Sequence, residues 1–219
     1  MDNRINYHQT IQKLQEDLLV LAKLTEEAIQ QAVGALVHHN EQTAKQIIEK
    51  DDVIDQLTLE LEEDGLRLIA LQQPMAGDLR IISMAIKMAT DLERIADHAV
   101  DIAKICLRIG SQEHVKPLVD IPKMAELTIE MLRESLIAYT EKDVHRASSL
   151  AEKDDQVDRL YSEIVNELHL LMGSELVRNR QITQLILAAH FLERVADHTT
   201  NIGEGVIYMV TGKRKDLNI

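Results

Sequence analysis

Apolar residues recur three and four positions apart along almost the whole chain, the period that gives a helix one buried face. The pattern is clearest near the C-terminus, where Ile182, Leu185, Ile186, Ala189, Leu192, Val195 and Ala196 keep it. His190, Glu193, Arg194, Asp197, Asn201 and Glu204 follow the same spacing on another face. A helix built this way buries one stripe and leaves the other for water or a ligand.

Gly, Pro and capping residues cut the pattern into three helices per half. The first is expected over about 7–38, and a second, capped by Asn40, continues to about Leu71. Gln72 to Asp78, with Pro74 and Gly77, reads as a turn before a third helix over 79–109, which Gly110 is placed to end. A polar linker follows from Gly110 to Pro117. Later helices are expected over 122–139, 143–172 and 175–210, with Gly173 and Ser174 as a C-cap followed by an N-cap. The charged tail after Gly212 is expected to fray.

Two segments occur twice. LERIADH at Leu92–His98 returns as LERVADH at Leu192–His198, and EKDDVIDQL at Glu49–Leu57 returns as EKDDQVDRL at Glu152–Leu160, with spacings of 100 and 103 residues. This is an internal duplication. Short loops make neighbouring helices antiparallel, so the expected architecture is all-α, a tandem pair of three-helix bundles, with domains at 1–110 and 111–219.

Composition agrees with helices: aromatics are 2% of the 219 residues, with 8 Gly, 3 Pro and no Trp. A net charge of −13 opposes a phosphate backbone, so no nucleic-acid partner is expected. The only compact basic run is Lys213, Arg214 and Lys215. A single cysteine, Cys106, sits among apolar residues and reads as a buried thiol. Without a secretory pattern or a long uncharged apolar run, the expected location is the cytoplasm.

The duplication preserves charge. Residues four apart on a helix stand one turn above each other, with Cβ atoms about 5–6 Å apart. Asp51 with Asp55 and Glu93 with Asp97 form two such pairs in the first half; Asp154 with Asp158 and Glu193 with Asp197 form two in the second. Intervening positions read as exposed differ, as Gln56 against Arg159 and Val100 against Thr200 do. If the two helix faces meet, four carboxylates converge and must protonate, pair with Arg or Lys, or bind a multivalent cation. Ordinary surface pairing with Lys50, Arg94, Lys153 and Arg194 is the plainer alternative. The all-oxygen donor set favours magnesium, calcium, manganese or iron over zinc.

Asp101 extends the first acidic face, and Asn201 replaces it in the second. His98 and His198 point about 100 degrees from their neighbouring acids and are expected to pack or cap. Arg80 and Arg180 read as salt-bridge partners of the preceding helix, with anion holding as the alternative. His38 and His39 close the first helix as C-terminal charges or solvated side chains. No His follows a Glu or Asp by three positions, and no phosphate loop or nucleophile elbow occurs, so no catalytic residues are expected.

The acid-x-x-x-acid pairs, LERxADH in both halves, QQPMAGDLR at Gln72–Arg80 and DLERIADHAVDIA at Asp91–Ala103 together resemble the PhoU family of bacterial phosphate-signalling regulators. The resemblance implies tandem three-helix bundles with metal ions or multinuclear clusters on the acidic motifs. One site would use Asp51, Asp55, Glu93 and Asp97, and the other Asp154, Asp158, Glu193 and Asp197. Iron is the first choice of metal, with manganese, magnesium or zinc as alternatives. It further implies a homodimer that restrains a high-affinity phosphate transporter through its ATPase subunit. A membrane histidine kinase would be the second partner, and the membrane would be met only through these proteins. A metal-storage protein and a purely structural helical adaptor are the competing readings.

Overall fold

The computed structural model describes the backbone of residues 2–173 and 176–217, with side chains at residue 7 and from residue 9 onward within those spans. Six helices follow in order: α1 (Asp2–His38), α2 (Glu41–Gln72), α3 (Ala76–Ile109), α4 (Asp120–Glu141), α5 (Val144–Leu170) and α6 (Leu176–Thr211). Among the described residues there is no strand. The expected N-cap at Ser174 and helix start at Glu175 lie outside the described residues.

Local chemistry sets the helix ends. The Asn40 side chain accepts from Thr43 N at 3.0 Å, and Asp143 accepts from His145 N and Arg146 N. Gly110 ends α3 at φ 62°, a conformation that costs glycine little. The turn expected at Gln72–Asp78 is shorter than that. Gln73, in the left-handed region, and Pro74 stop α2, but α3 begins at Ala76, so Gly77 and Asp78 belong to its first turn. Asp78 there carries a favourable charge for a helix N-terminus.

Helices α1, α2 and α3 pack as one bundle and α4, α5 and α6 as the other. The bundles join through α3 against α6 and α1 against α4, leaving α2 and α5 outside. Helices α3 and α6 run antiparallel: Arg80 meets Met209, His98 lies beside His198, and Arg108 reaches Gln184. One apolar core therefore runs through both halves, from Leu18, Leu21 and Ile29 through Ile95 and Ile102 to Leu185, Leu192 and Ile202. Close approach across the seam needs a small residue. A Cβ on Gly205 would stand 2.2 Å from Met84 Sδ.

Three side-chain or tail expectations change. Val100 and Thr200 are buried, because each lies one turn beyond Ala96 or Ala196 on the core stripe. His39 is not solvated: its Nδ1 lies 2.9 Å from Gly110 O, and its ring stacks on His114 at 4.0 Å. The tail through residue 217 is docked rather than frayed. Leu217 is buried against the Gly203 region, its N–H donates to Glu204 Oε1 at 2.9 Å, and Arg214 lies over the Tyr208 ring.

Candidate functional site

On α2 the stripe Ile47, Ile54, Leu61 and Leu68 faces the bundle, and on α3 Leu92, Ile95, Ala96 and Ala99 do the same. Asp51, Asp55, Glu93 and Asp97 flank these stripes where the two helices meet. The same packing on α5 and α6 places Asp154, Asp158, Glu193 and Asp197. Within each of these two four-acid groups the carboxylates feel one another's charge.

In the first group, burial and then the charges of Asp55 and Asp97 raise the pKa of Asp51. Burial and then Asp97 raise that of Glu93. Arg94 answers part of this field, with Nη1 2.9 Å from Asp97 Oδ2 and Nε 3.3 Å from Glu93 Oε2. Lys104 pairs with Asp101 at 3.2 Å. Asp51 Oδ1 is buried with no hydrogen-bond partner.

The second group is deeper. Asp154 is 8% exposed, and its pKa is pushed up to about 7 by burial first, then by Asp158 and Asp197. Burial and Asp197 also raise Asp158 and Glu193. Arg194 Nη1 stands 2.6 Å from Asp197 Oδ2, repeating Arg94. His190 Nδ1 lies 3.3 Å from Glu193 Oε2 but outside hydrogen-bonding geometry. Lys153 turns away to Glu130 at 2.5 Å, so it does not answer the group. Asp154 Oδ1, like Asp51 Oδ1, is buried without a partner.

The unpartnered aspartate oxygens and carboxylates with raised pKa values are the donor chemistry of a hard cation. Arg94 and Arg194 already pair with carboxylates that such a cation would use. Among the described residues no three His, Cys, Asp or Glu side chains are gathered closely enough to hold a metal ion. Loading either group would require its carboxylates to draw together and its arginine to swing outward.

Between the two groups the duplicated histidines cross. His98 stacks on Phe191 at 5.5 Å, while His198 Nδ1 lies 3.1 Å from buried Asp91 Oδ1. Burial first, then His198, lowers the pKa of His98 to about 4. Both histidines pack, as expected, but the residues they meet belong to the opposite bundle, which was not expected. Asp91 escaped the sequence reading; the signal was the exchange of Asp91 for Phe191 one step before two otherwise matching motifs. The expected pairing of Arg80 with an acid of α2 is also corrected. Its Nε donates to Met209 O at 3.1 Å because α6 of the other bundle is its neighbour. Arg180 lies exposed at the start of α6.

Fold and site together define a duplicated three-helix-bundle protein bearing one half-buried acidic face per repeat. The PhoU domain model matches residues 18–106 and 121–206, once in each bundle. A "Phosphate-specific transport system accessory protein PhoU homolog" of Clostridium acetobutylicum is 40% identical over 213 residues, 97% of each chain. Its counterpart in Aquifex aeolicus is 36% identical, over 93% of this chain and 92% of its own. The crystal structure of the phosphate transport system regulatory protein PhoU from Streptococcus pneumoniae superposes with a TM-score of 0.88 at 31% identity, over 96% of this chain and 99% of that one. PhoU from Pseudomonas aeruginosa gives 0.89 at 32%, over 94% and 100%. The chain belongs to the PhoU family.

Proposed function

We propose that this chain is an accessory regulator of phosphate-specific transport. It restrains the high-affinity importer and holds the phosphate-starvation two-component response off by docking on other proteins. Its partners are the importer's ATPase subunit and a phosphate-sensing membrane histidine kinase, met in the cytoplasm by a homodimer. The phosphate connection is supported by relatives similar over nearly their whole length. No described helix is long and apolar enough to cross a membrane.

Docking has one carrying observation, the exposed apolar residues at the two hairpin tips. Leu71, Met75 and Leu79 stand out at the α2–α3 turn, and Leu170, Leu176 and Val177 at the α5–α6 turn. Repeated apolar tips rimmed by polar helix surface are the usual mark of a protein-binding surface. The acidic faces supply charge complementarity between them.

A cation of the iron, manganese, magnesium or zinc kind is proposed for both acidic groups. Asp51, Asp55, Glu93 and Asp97 would hold it in the bundle spanning 1–110, and Asp154, Asp158, Glu193 and Asp197 in that spanning 111–219. Bound there, it would neutralise clustered carboxylates and fix one geometry for docking. A second reading is favoured by Arg94 and Arg194, which already answer Asp97 and Asp197 from within the chain. A partner's lysines or arginines would then complete the neutralisation without metal.

The test is elemental analysis of untagged protein beside a variant with Glu93, Asp97, Glu193 and Asp197 all changed to Ala, together with binding of both to the importer's ATPase subunit. Stoichiometric metal lost in the variant along with partner binding supports the metal-organised face. Metal lost while binding persists refutes it. A gene deletion that changes metal tolerance but leaves phosphate uptake regulated would favour storage over regulation.

A further inference from the structure

Where the start of α3 meets the end of α6, the docked tail roofs a cavity of about 330 Å³. Arg80 and Lys87 come from α3, and Arg214 and Lys215 from the tail; all four line it. The hydroxyl-bearing Ser83 and Tyr208 line it too, and Glu204 is the single acid of the wall. In a chain of net charge −13, four cations around one space are a sharp local reversal.

Three of the four cations are positioned by contacts that leave donors over, and Lys87 stands exposed on α3. Arg80 Nε is fixed on Met209 O at 3.1 Å, and Nη1 lies beneath the turn at Gly212, 3.6 Å from where a Cβ would stand. The terminal nitrogens of that guanidinium remain as a planar fork of the kind that matches tetrahedral oxyanions. Arg214 is held 5.9 Å above the Tyr208 ring, and Lys215 Nζ lies 3.4 Å from Ser148 Oγ. Glu204 spends one oxygen on Leu217 N at 2.9 Å, and that bond ties the tail in place.

The duplication supplies an internal control. At a spacing of 100, Arg80 is kept as Arg180, but Lys87 becomes Leu187 and Ser83 becomes Thr183, and the segment that follows the first repeat brings Glu113 and Val115, not a basic run, to Gln181 of α6. The acidic faces are shared by both halves, whereas this basic cavity belongs to one end of the molecule. Lys87, Arg214 and Lys215 are exposed and Arg80 is half-buried, and cations gathered around one space oppose one another unless an anion joins them.

We propose that this cavity binds a phosphate monoester or free inorganic phosphate, with Arg80, Lys87, Arg214 and Lys215 holding its oxygens. The remaining oxygen of Glu204 accepts the P–OH hydrogen that inorganic hydrogen phosphate, or a singly ionised monoester, carries. Sulfate, which is fully ionised and lacks that hydrogen, is thereby disfavoured. The site stands apart from the acidic faces and does not depend on whether those bind metal.

The test is isothermal titration calorimetry of the full chain with sodium phosphate, pyrophosphate and sodium sulfate at matched ionic strength. It is repeated on Arg214→Gln/Lys215→Gln, whose positions are exposed, and on Lys87→Gln, with circular dichroism to verify folding. Phosphate should bind more tightly than sulfate, and each variant should weaken it roughly ten- to a hundredfold, as loss of charge-assisted hydrogen bonds does. Glu204→Gln should narrow the gap between the two anions. No heat with millimolar phosphate, equal binding of sulfate, or affinity unchanged in folded variants would overturn the proposal. Co-sedimentation with phosphatidylcholine vesicles, with and without phosphatidic acid, distinguishes the source. Pelleting that needs phosphatidic acid and Arg214 assigns the headgroup, and protein left in the supernatant assigns a soluble phosphate.

Discussion

Asp154→Asn tests the electrostatics of the acidic face most directly. The Asp154 carboxyl titrates near 7 in the fold against an ordinary value of 3.8, so the folded state keeps a proton that the unfolded chain has released. Between those values the folded protein binds more protons, and stability falls as pH rises from about 4 to about 7, then levels. Three units correspond to a cost of about 4 kcal/mol above pH 7. An asparagine has nearly the same shape and no charge to desolvate. In the presence of a chelator, the variant should match wild type near pH 4 and exceed it by up to about 4 kcal/mol at pH 8. Urea unfolding at several pH values, with the slope of each transition checked for constancy, measures this. Manganese added at pH 8 should raise the stability of wild type by more than that of the variant, which keeps only the first acidic group intact. Parallel pH profiles for the two proteins would refute the reasoning, because burial of a repelled charge would then not be the property that Asp154 carries.

His98 gives a limb of opposite sign. Its pKa, lowered from 6.5 to about 4, means that the unfolded state takes the proton first, and stability is lost as pH falls through that window. His98→Phe, which keeps the stack on Phe191, should abolish about 3 kcal/mol of the loss between pH 6.5 and 4, read from urea midpoints. Gly205→Ala should cost about 1–3 kcal/mol, because Met84 must move within the seam. Combining it with Met84→Ala should recover part of that cost in a double-mutant cycle, and strict additivity would deny the contact.

The repeated acids were legible in the sequence because a helix converts a spacing of four into adjacency, and two short loops leave α2 and α3 few ways to pack. Asn40 and Gly110 were legible for the same local reason. What stayed hidden depended on how one bundle meets the other. Arg80 was assigned to an acid of its own bundle, but α6 supplies its acceptor. Val100 and Thr200 were taken as exposed, since a single-stripe reading underestimates how much of α3 and α6 the second bundle covers. The tail looked charged and loose; Leu217, a single apolar residue in a polar run, is enough to anchor it. No periodicity in one helix encodes the crossing of His98 and His198, since each histidine's partner is about a hundred residues away.

The antiparallel α3–α6 seam nearly turns the molecule into its own image, so a partner that read only the acidic faces would have two interchangeable ways to sit. The docked tail removes that ambiguity. It marks one end by setting Arg214 and Lys215 where α6 finishes, whereas at the other end the linker meets Gln181 through the Glu113 carbonyl and the Val115 N–H. A partner that meets the marked end has only one pose open to it. In that sense residues 212–217 give a palindromic scaffold a direction.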